Sequence, residues 1–349
     1  MRKTVAFTRQ SANVFFHILT RCNLRCRHCY INPNQHGHTT LDIDTIDRWL
    51  AIFAGRHPSP NVIFLGGEPT LHPDLAIAVK RARKLGYASV TIDTNGYLFN
   101  DILDRVTPEE VDFFSFSLDG PSPSINDPLR GEGSFKQCTQ GIAAAKRRGF
   151  AVSLIYTVSR ANIDHLQRMP SLLAELGVDR FFIQVIGVRG QWIEDELRLE
   201  TLSQVERDAW LEIVPKTAKA AARQGITVTF PTVFLEPDEP FECAGVVADN
   251  YFIFPNGRVY RCPLCEDYPL HSLEIRGGRL VETAGINEAD LFPLLIPEGC
   301  VMNRIIQPRN LSPAKDGKLL YKIACCMLKE EVTPRLQKPE ASESGITEE

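Results

Sequence analysis

Between Val14 and Gly190 the chain alternates two hydrophobic periods. Short runs of β-branched and aromatic residues read as strands: VFFHILT (14–20), NVIFLG (61–66), ASVTID (88–93), DFFSFSL (112–118), AVSLIYTV (151–158) and RFFIQVIG (180–187). Between them lie segments with helical spacing, about 41–54, 73–85, 134–148 and 162–176, and a weaker one over 98–110. Gly86, Gly149 and Gly177 each follow such a segment, where a helix wants a left-handed C′ residue. Pro73 stands at a helix start, where its missing N–H costs nothing. Repeated strand–helix units require parallel pairing through right-handed crossovers. Six units are too few for a closed eight-stranded barrel. The predicted fold is therefore α/β, a partial, open (β/α)6 barrel with functional residues at the C-terminal strand ends.

A helical segment over 203–224 leads out of this region, and after Gly225 the character changes. PTVFLEPDEPFEC is proline-rich and acidic, and NYFIFPNGRVYRCPLC carries Asn256-Gly257 between two alternating runs, a hairpin signal. The division predicted is a barrel core over 1–200, a helical linker and small irregular cysteine-bearing domain over 201–330, and a disordered acidic tail over 331–349. The tail holds five acids and two bases, so it carries most of the net charge of −4. With 44% hydrophobic and 23% charged residues, the rest reads as soluble and globular. No basic patch marks a nucleic-acid partner, no stretch approaches the roughly 20 apolar residues of a membrane span, and no signal peptide is visible. The expected compartment is the cytoplasm. There, ten cysteines point to metal binding or redox work and away from disulfides.

Three of those cysteines, Cys22, Cys26 and Cys29, fall in TRCNLRCRHCY directly after the first strand. Thiolates are soft donors for zinc, Cu(I) or iron–sulfur clusters. Three cysteines on a four-iron cubane leave one iron open, and an open site can bind a small molecule. The competing reading is a structural zinc completed by His17, His28, His36 or His38. CNLRCRHCY after a strand resembles the signature of the radical S-adenosylmethionine (radical SAM) superfamily. The likeness covers about residues 14–190 and extends to further motifs in the same order. It implies a partial (β/α)6 barrel and a [4Fe–4S] cluster whose open iron is chelated by S-adenosylmethionine. It also implies one-electron cleavage to a 5′-deoxyadenosyl radical, which takes a hydrogen atom from a substrate.

The motifs have physical readings of their own. In GGEPT, Gly66 and Gly67 let the backbone approach a ligand closely, and Glu68 can hold an ammonium; the plain alternative is a turn into the next helix. The resemblance assigns Gly66, Gly67, Glu68 and Pro69 to the amino group of S-adenosylmethionine. DTNGYL is a turn signal, and the resemblance brings Asn95 near the methionine part. In SFSLDG, Ser117 and Asp119 share one side of the strand and point inward. The resemblance gives them the ribose or carboxylate region of the cofactor. Arg130, one residue further on than the family pattern, would meet the carboxylate end; the alternative is a solvated surface arginine. His28 matches an aromatic position against the adenine, or is a histidine that only supports the site or faces solvent. IQVIG (183–187) matches a stretch flanking the adenine. No catalytic side chain is assigned from sequence.

Six later cysteines, Cys243, Cys262, Cys265, Cys300, Cys325 and Cys326, form a second group. Cys243, Gly257 and Cys262 have spacing similar to the opening of the SPASM and Twitch domains, which follow some radical SAM barrels and carry auxiliary iron–sulfur clusters. The rest of the SPASM pattern is missing. One auxiliary [4Fe–4S] cluster is expected, with Cys243 and Cys262 the best ligands. Cys265, Cys300, Cys325 and Cys326 compete for the other places, and at most one of the adjacent pair binds. A zinc ribbon is the alternative. Cys138, in a helical segment, is expected to be a buried structural thiol.

The resemblance implies a one-electron donor such as reduced flavodoxin or ferredoxin. Peptide or protein maturation ranks first among substrates, with small-molecule cofactor (for example tetrapyrrole) synthesis second. Only about a dozen residues precede the first strand, which weighs slightly against a stand-alone leader-peptide modifier. A non-catalytic electron-transfer or zinc module is the alternative of another class.

Overall fold

The computed structural model describes residue 4 and residues 11–190, 200–311, 314–315 and 318–334. Six parallel strands follow the predicted runs: β1 (Ala12–His17), β2 (Asn61–Leu65), β3 (Ser89–Thr94), β4 (Phe113–Ser117), β5 (Val152–Val158) and β6 (Arg180–Val185). Each pairs with the next in parallel register. Helices cover the outer face. Helix α1 is the short turn Pro33–His36 and α2 spans Ile43–Arg56. The Asp42 side chain accepts from Thr45 N to start α2, and Ile46, Trp49, Leu50 and Phe53 are buried at helical spacing. Helices α3 (Leu75–Lys84), α4 (Ile102–Arg105), α5 (Pro123–Arg130) and α6 (Ser134–Arg147) follow. The helix expected over 162–176 is split into a 3-10 turn, Ile163–Arg168, and α7, Met169–Glu175. Pro170, lacking an N–H, restarts the chain there as a first-turn residue.

The sheet is larger than six strands. After the helix Arg207–Arg223, β7 (Thr227–Pro231) joins β6 in parallel. Residues expected to lie outside the barrel thus extend it. Strand β8 (Phe234–Leu235) leads to β9 (Asp249–Ile253), which adds to the other edge, parallel to β1. The antiparallel strands β10 (Arg258–Tyr260), β11 (Leu273–Arg276) and β12 (Arg279–Glu282) continue from it. The hairpin expected at Asn256-Gly257 joins β9 to β10, with Gly257 at φ 89°. Three short strands, β13 (Ala314–Lys315), β14 (Lys318–Leu319) and β15 (Lys322–Ile323), precede β16 (Lys329–Val332), which pairs antiparallel with β7. Glu331 and Val332, placed by sequence in a disordered tail, are therefore strand residues; the tail from 335 onward lies outside the described residues. The result is a twelve-stranded, mostly parallel sheet with the order β12-β11-β10-β9-β1-β2-β3-β4-β5-β6-β7-β16.

Alternation along each strand divides the barrel. Outward residues such as Val14, Phe16, Val62, Phe64 and Phe114 pack beneath the helices in the main core. Inward residues Phe15, His17, Ile63, Leu65, Thr91, Asp93, Ser115, Ser117, Ile155, Thr157, Phe182 and Gln184 line one internal cavity. A second, smaller core forms around Phe252, Phe254, Tyr260, Phe292 and Met302.

At the N-terminal strand ends a polar ladder crosses four strands. Asn13 Nδ2 donates to Asn250 Oδ1 at 2.9 Å, Asn61 Nδ2 to Asn13 Oδ1 at 3.0 Å, and Ser89 Oγ to Asn61 Oδ1 at 2.8 Å. All four residues are buried, so these bonds fix which strands can be neighbours. Asn13→Ala leaves two buried amides short of a partner. It should cost about 2–4 kcal/mol, read as a lower urea midpoint with an unchanged slope.

Candidate active site and cysteine centres

The cavity, about 350 Å³ in volume, opens at the C-terminal ends of the parallel strands. The three-cysteine loop is stitched to the end of β2. Ile18 N donates to Leu65 O, Gly67 N to Leu19 O and Glu68 N to Arg21 O, each at 3.0 Å. This continues the β1–β2 ladder past the last strand residue. A Cβ on Gly66 would sit 2.2 Å from Leu19 O, and one on Gly67 2.1 Å from Arg21 O. Both glycines also line the cavity, and the chain packed closest against them is the backbone of the cysteine loop. On the far side, Gly190 (φ 91°) packs against Cys29 O, which a Cβ would approach to 2.3 Å.

Cys22, Cys26 and Cys29 all face the cavity, and all ten cysteines are free thiols. Burial pushes Cys22 up to about 12 and Cys26 up to about 11. They therefore stay neutral until a metal takes the proton's place. Three soft donors within electrostatic reach of one another are the donor set a cubane with one open iron takes.

Around the thiols, each motif residue has a place. Glu68 is buried, and its carboxylate accepts from Thr70 N (3.1 Å), Thr70 Oγ1 (2.6 Å), Thr94 Oγ1 (2.9 Å) and Asn95 N (2.7 Å). Burial raises its pKa against these donors. Asn95 Nδ2 donates to Asn23 Oδ1 at 2.8 Å, tying the end of β3 to the cysteine loop. Pro69 opens a 3-10 turn on the wall. Ser117, His28 and Arg130 reach the cavity. Arg130 is buried and is no surface arginine.

Asp119 differs from expectation. It is fully buried, and its carboxylate lies behind the wall. Its Oδ2 is 2.6 Å from Arg130 Nε and 3.1 Å from His28 Nε2, and its Oδ1 accepts from Thr157 N at 2.8 Å. Burial would raise its pKa, but Arg130 and then His28 outweigh it and hold the carboxyl well below the usual carboxylate range. Asp119 thus aims two cavity-facing side chains.

The six later cysteines share the smaller core. Cys265, Cys300 and Cys325 are buried in it, and Cys243, Cys262 and Cys326 pack against it. Cys138 is a buried thiol in α6, with Sγ 3.6 Å from Ser117 O.

Sequence reasoning missed the bridge between the two cysteine centres. Phe254 is sandwiched between His17 and His36, with ring centroids 3.9 Å away on both faces. His17 contacts Tyr30 Oη through Nε2 at 2.8 Å. Arg189 lies over the Tyr30 ring and forms an ion pair with Glu266. Burial lowers both histidines, His36 to about 4, so the stack is uncharged near neutral pH. Alternation along β1 and β3 could have flagged His17 and Asp93; burial pushes Asp93 up to about 7. Lys329, also on the wall, donates to Gln184 Oε1 at 2.8 Å and had no local signal.

Gly67→Ala forces its Cβ against Arg21 O and pushes the cysteine loop off β2. The variant should bind less iron than the wild type after reconstitution without oxygen, measured by iron analysis; wild-type iron content in the variant would contradict this.

Residues 16–173 match the family model described as the Radical SAM superfamily. Pre-heme d1 synthase of Dinoroseobacter shibae is 33% identical over 187 residues, 51% of this chain and 44% of that protein. Fe-coproporphyrin III synthase of Methanosarcina barkeri is 27% identical over 246 residues, 68% and 59% of the two chains. The chain therefore spans about half the length of these two relatives. PqqA peptide cyclase of Ruegeria pomeroyi is 29% identical over 257 residues, 71% of this chain and 67% of that protein. The crystal structure of Streptococcus suis SuiB bound to S-adenosylmethionine shares the fold, with a TM-score of 0.56 at 15% identity over 72% of this chain and 60% of that one. With the match over residues 16–173, the chain carries a radical SAM domain.

Proposed function

We propose that this chain reductively cleaves S-adenosylmethionine at a [4Fe–4S] cluster held by Cys22, Cys26 and Cys29 and abstracts a hydrogen atom from a peptide or protein substrate. The observation that carries the reading is three free thiols on one cavity wall, with the Gly66–Pro69, Asn95, Ser117, His28 and Arg130 positions facing the same space. When bound, the cluster and S-adenosylmethionine supply one-electron homolysis and a hydrogen-abstracting radical.

The chain's own groups then divide the work. Glu68, held rigid by four donors, presents its carboxylate to the amino group of the cofactor. Arg130, braced by Asp119, offers its guanidinium to the carboxylate end, with the Ser117 hydroxyl beside it. His28, aimed by Asp119, lends an imidazole plane to the adenine. The barrel walls keep water from the reacting atoms. An auxiliary [4Fe–4S] cluster in the smaller, SPASM- or Twitch-like core completes the reading. Reduced flavodoxin or ferredoxin serves as electron donor. Ten free thiols suit a reducing compartment, the cytoplasm.

A peptide substrate draws support from the PqqA peptide cyclase alignment, which covers most of both chains. SuiB bound to its precursor peptide SuiA shares the fold, with a TM-score of 0.54. Tetrapyrrole-type cofactor synthesis is the second reading, favoured by the 33% identity to pre-heme d1 synthase.

Protein purified without oxygen, given S-adenosylmethionine and dithionite, should release 5′-deoxyadenosine. Replacing Cys22, Cys26 and Cys29 together by alanine should drop this to the protein-free background. Cleavage surviving the triple change, or zinc in place of iron, would defeat the reading.

A further inference from the structure

The cavity wall carries polar groups that the cofactor does not use in the reading above. They fall on two facing stretches of the sheet. On one side, Thr91 and Asp93 are successive inward residues of β3. Ser115, the register neighbour of Asp93 on β4, hydrogen-bonds its carboxyl. Thr91 is 5% exposed, and its Oγ1 has no hydrogen-bond partner among the described residues. A buried hydroxyl turned into a cavity without a partner marks a place where a ligand's polar atom can sit.

On the other side, β16 carries Lys329 into the cavity, four strands beyond β4 in the sheet order. Its ammonium donates to Gln184 Oε1 at 2.8 Å and stands 6.0 Å from the centre of the Phe182 ring. Both partners are inward residues of β6, so the flexible lysine stem is held to one position. An ammonium has three N–H donors and can serve more than one acceptor. The two arginines on the wall are committed to Asp119 and Glu266. Asp93 and Lys329 are half-buried and lie within electrostatic reach of each other across the cavity. A molecule between them meets an anion's partner at one end and an acceptor of N–H groups, beside an unpaired hydroxyl, at the other.

We propose that Lys329 binds a carboxylate of the substrate while Thr91 and Asp93 take its neighbouring amide, so that the substrate is a peptide segment with an acidic side chain. The inference rests on the hydrogen-abstraction reading above and names the substrate chemistry. A carboxylate meeting a fixed, partly desolvated ammonium makes a charge-assisted hydrogen bond, stronger than a neutral amide could make there. Lys329 is thus a specificity-determining residue that separates glutamate or aspartate from their amides.

Saturation-transfer NMR on the full chain purified without oxygen measures the affinity for N-acetylglutamate methylamide, an acidic peptide unit, and for N-acetylglutamine methylamide, its neutral counterpart. The wild type should prefer the acid about tenfold. Lys329→Gln should bind the two alike, and Lys329→Arg should restore the preference. A wild type that binds the two alike, or binds neither, overturns the inference without recourse to a variant. So does a Lys329→Gln protein that keeps the preference, or one whose affinity for S-adenosylmethionine falls by the same factor, which would place the lysine at the cofactor. Protoporphyrin IX and its dimethyl ester form a second arm. A Lys329-dependent preference for the free porphyrin acid, with no preference between the two amino-acid probes, assigns the carboxylate to a tetrapyrrole propionate and overturns the peptide. Release of 5′-deoxyadenosine with S-adenosylmethionine and dithionite is measured on the same preparation. Release without a carboxylate preference overturns this inference alone, whereas no release overturns the reading on which it rests.

Discussion

The structure depends on one backbone suture. Past the last residues of β1 and β2, the parallel ladder continues through Leu19–Arg21 and Gly66–Glu68. Those bonds convert a cysteine-bearing loop, which would otherwise wander, into an extension of the sheet. The two glycines are needed because nothing larger fits between the chains. Once the loop is fixed, Cys22 reaches the Asn23–Asn95 contact and Cys26 reaches the Arg130 carbonyl. Preorganisation of this kind spares a site the cost of ordering its ligands when the metal arrives.

A second constraint is charge inside a closed space. The cavity-facing cations Arg130 and Arg189 are each matched by a buried carboxylate, Asp119 and Glu266. A buried ion pair contributes little net stability, but breaking one leaves an uncompensated charge. These pairs therefore act as rigid struts. Asp119 aims Arg130 and His28 from behind the wall. Glu266 holds Arg189 over Tyr30 and, through its carbonyl, accepts from His36 in the Phe254 sandwich. The second strut runs between the two cysteine centres, so the smaller core is joined to the barrel by stacked rings and ion pairs as well as by β9.

The barrel was legible because each strand carries its own period-two pattern and each helix its own stripe, both readable over ten residues. The motif residues were legible because they fall where strands end. What stayed hidden depends on distant pairing. Nothing near Asp249–Ile253 says that β9 will lie beside β1, more than 230 positions away in sequence. Nothing near Lys329 says that β16 will carry it into the barrel. Asp119 shows the limit of alternation. Ser117 is the last residue of β4, so the period that turns both side chains inward stops holding, and Asp119 turns instead to the Thr157 N–H. The six later cysteines were countable, but that they gather in one small core depends on contacts that only the folded chain supplies.

The central claim is an iron–sulfur cluster with a vacant coordination position at the mouth of this barrel. Electron paramagnetic resonance of the dithionite-reduced protein, recorded before and after adding S-adenosylmethionine, tests it most directly. The account predicts a reduced-cluster signal whose g values shift when the cofactor binds. Signals indifferent to S-adenosylmethionine, or no cluster signal at all, would contradict it.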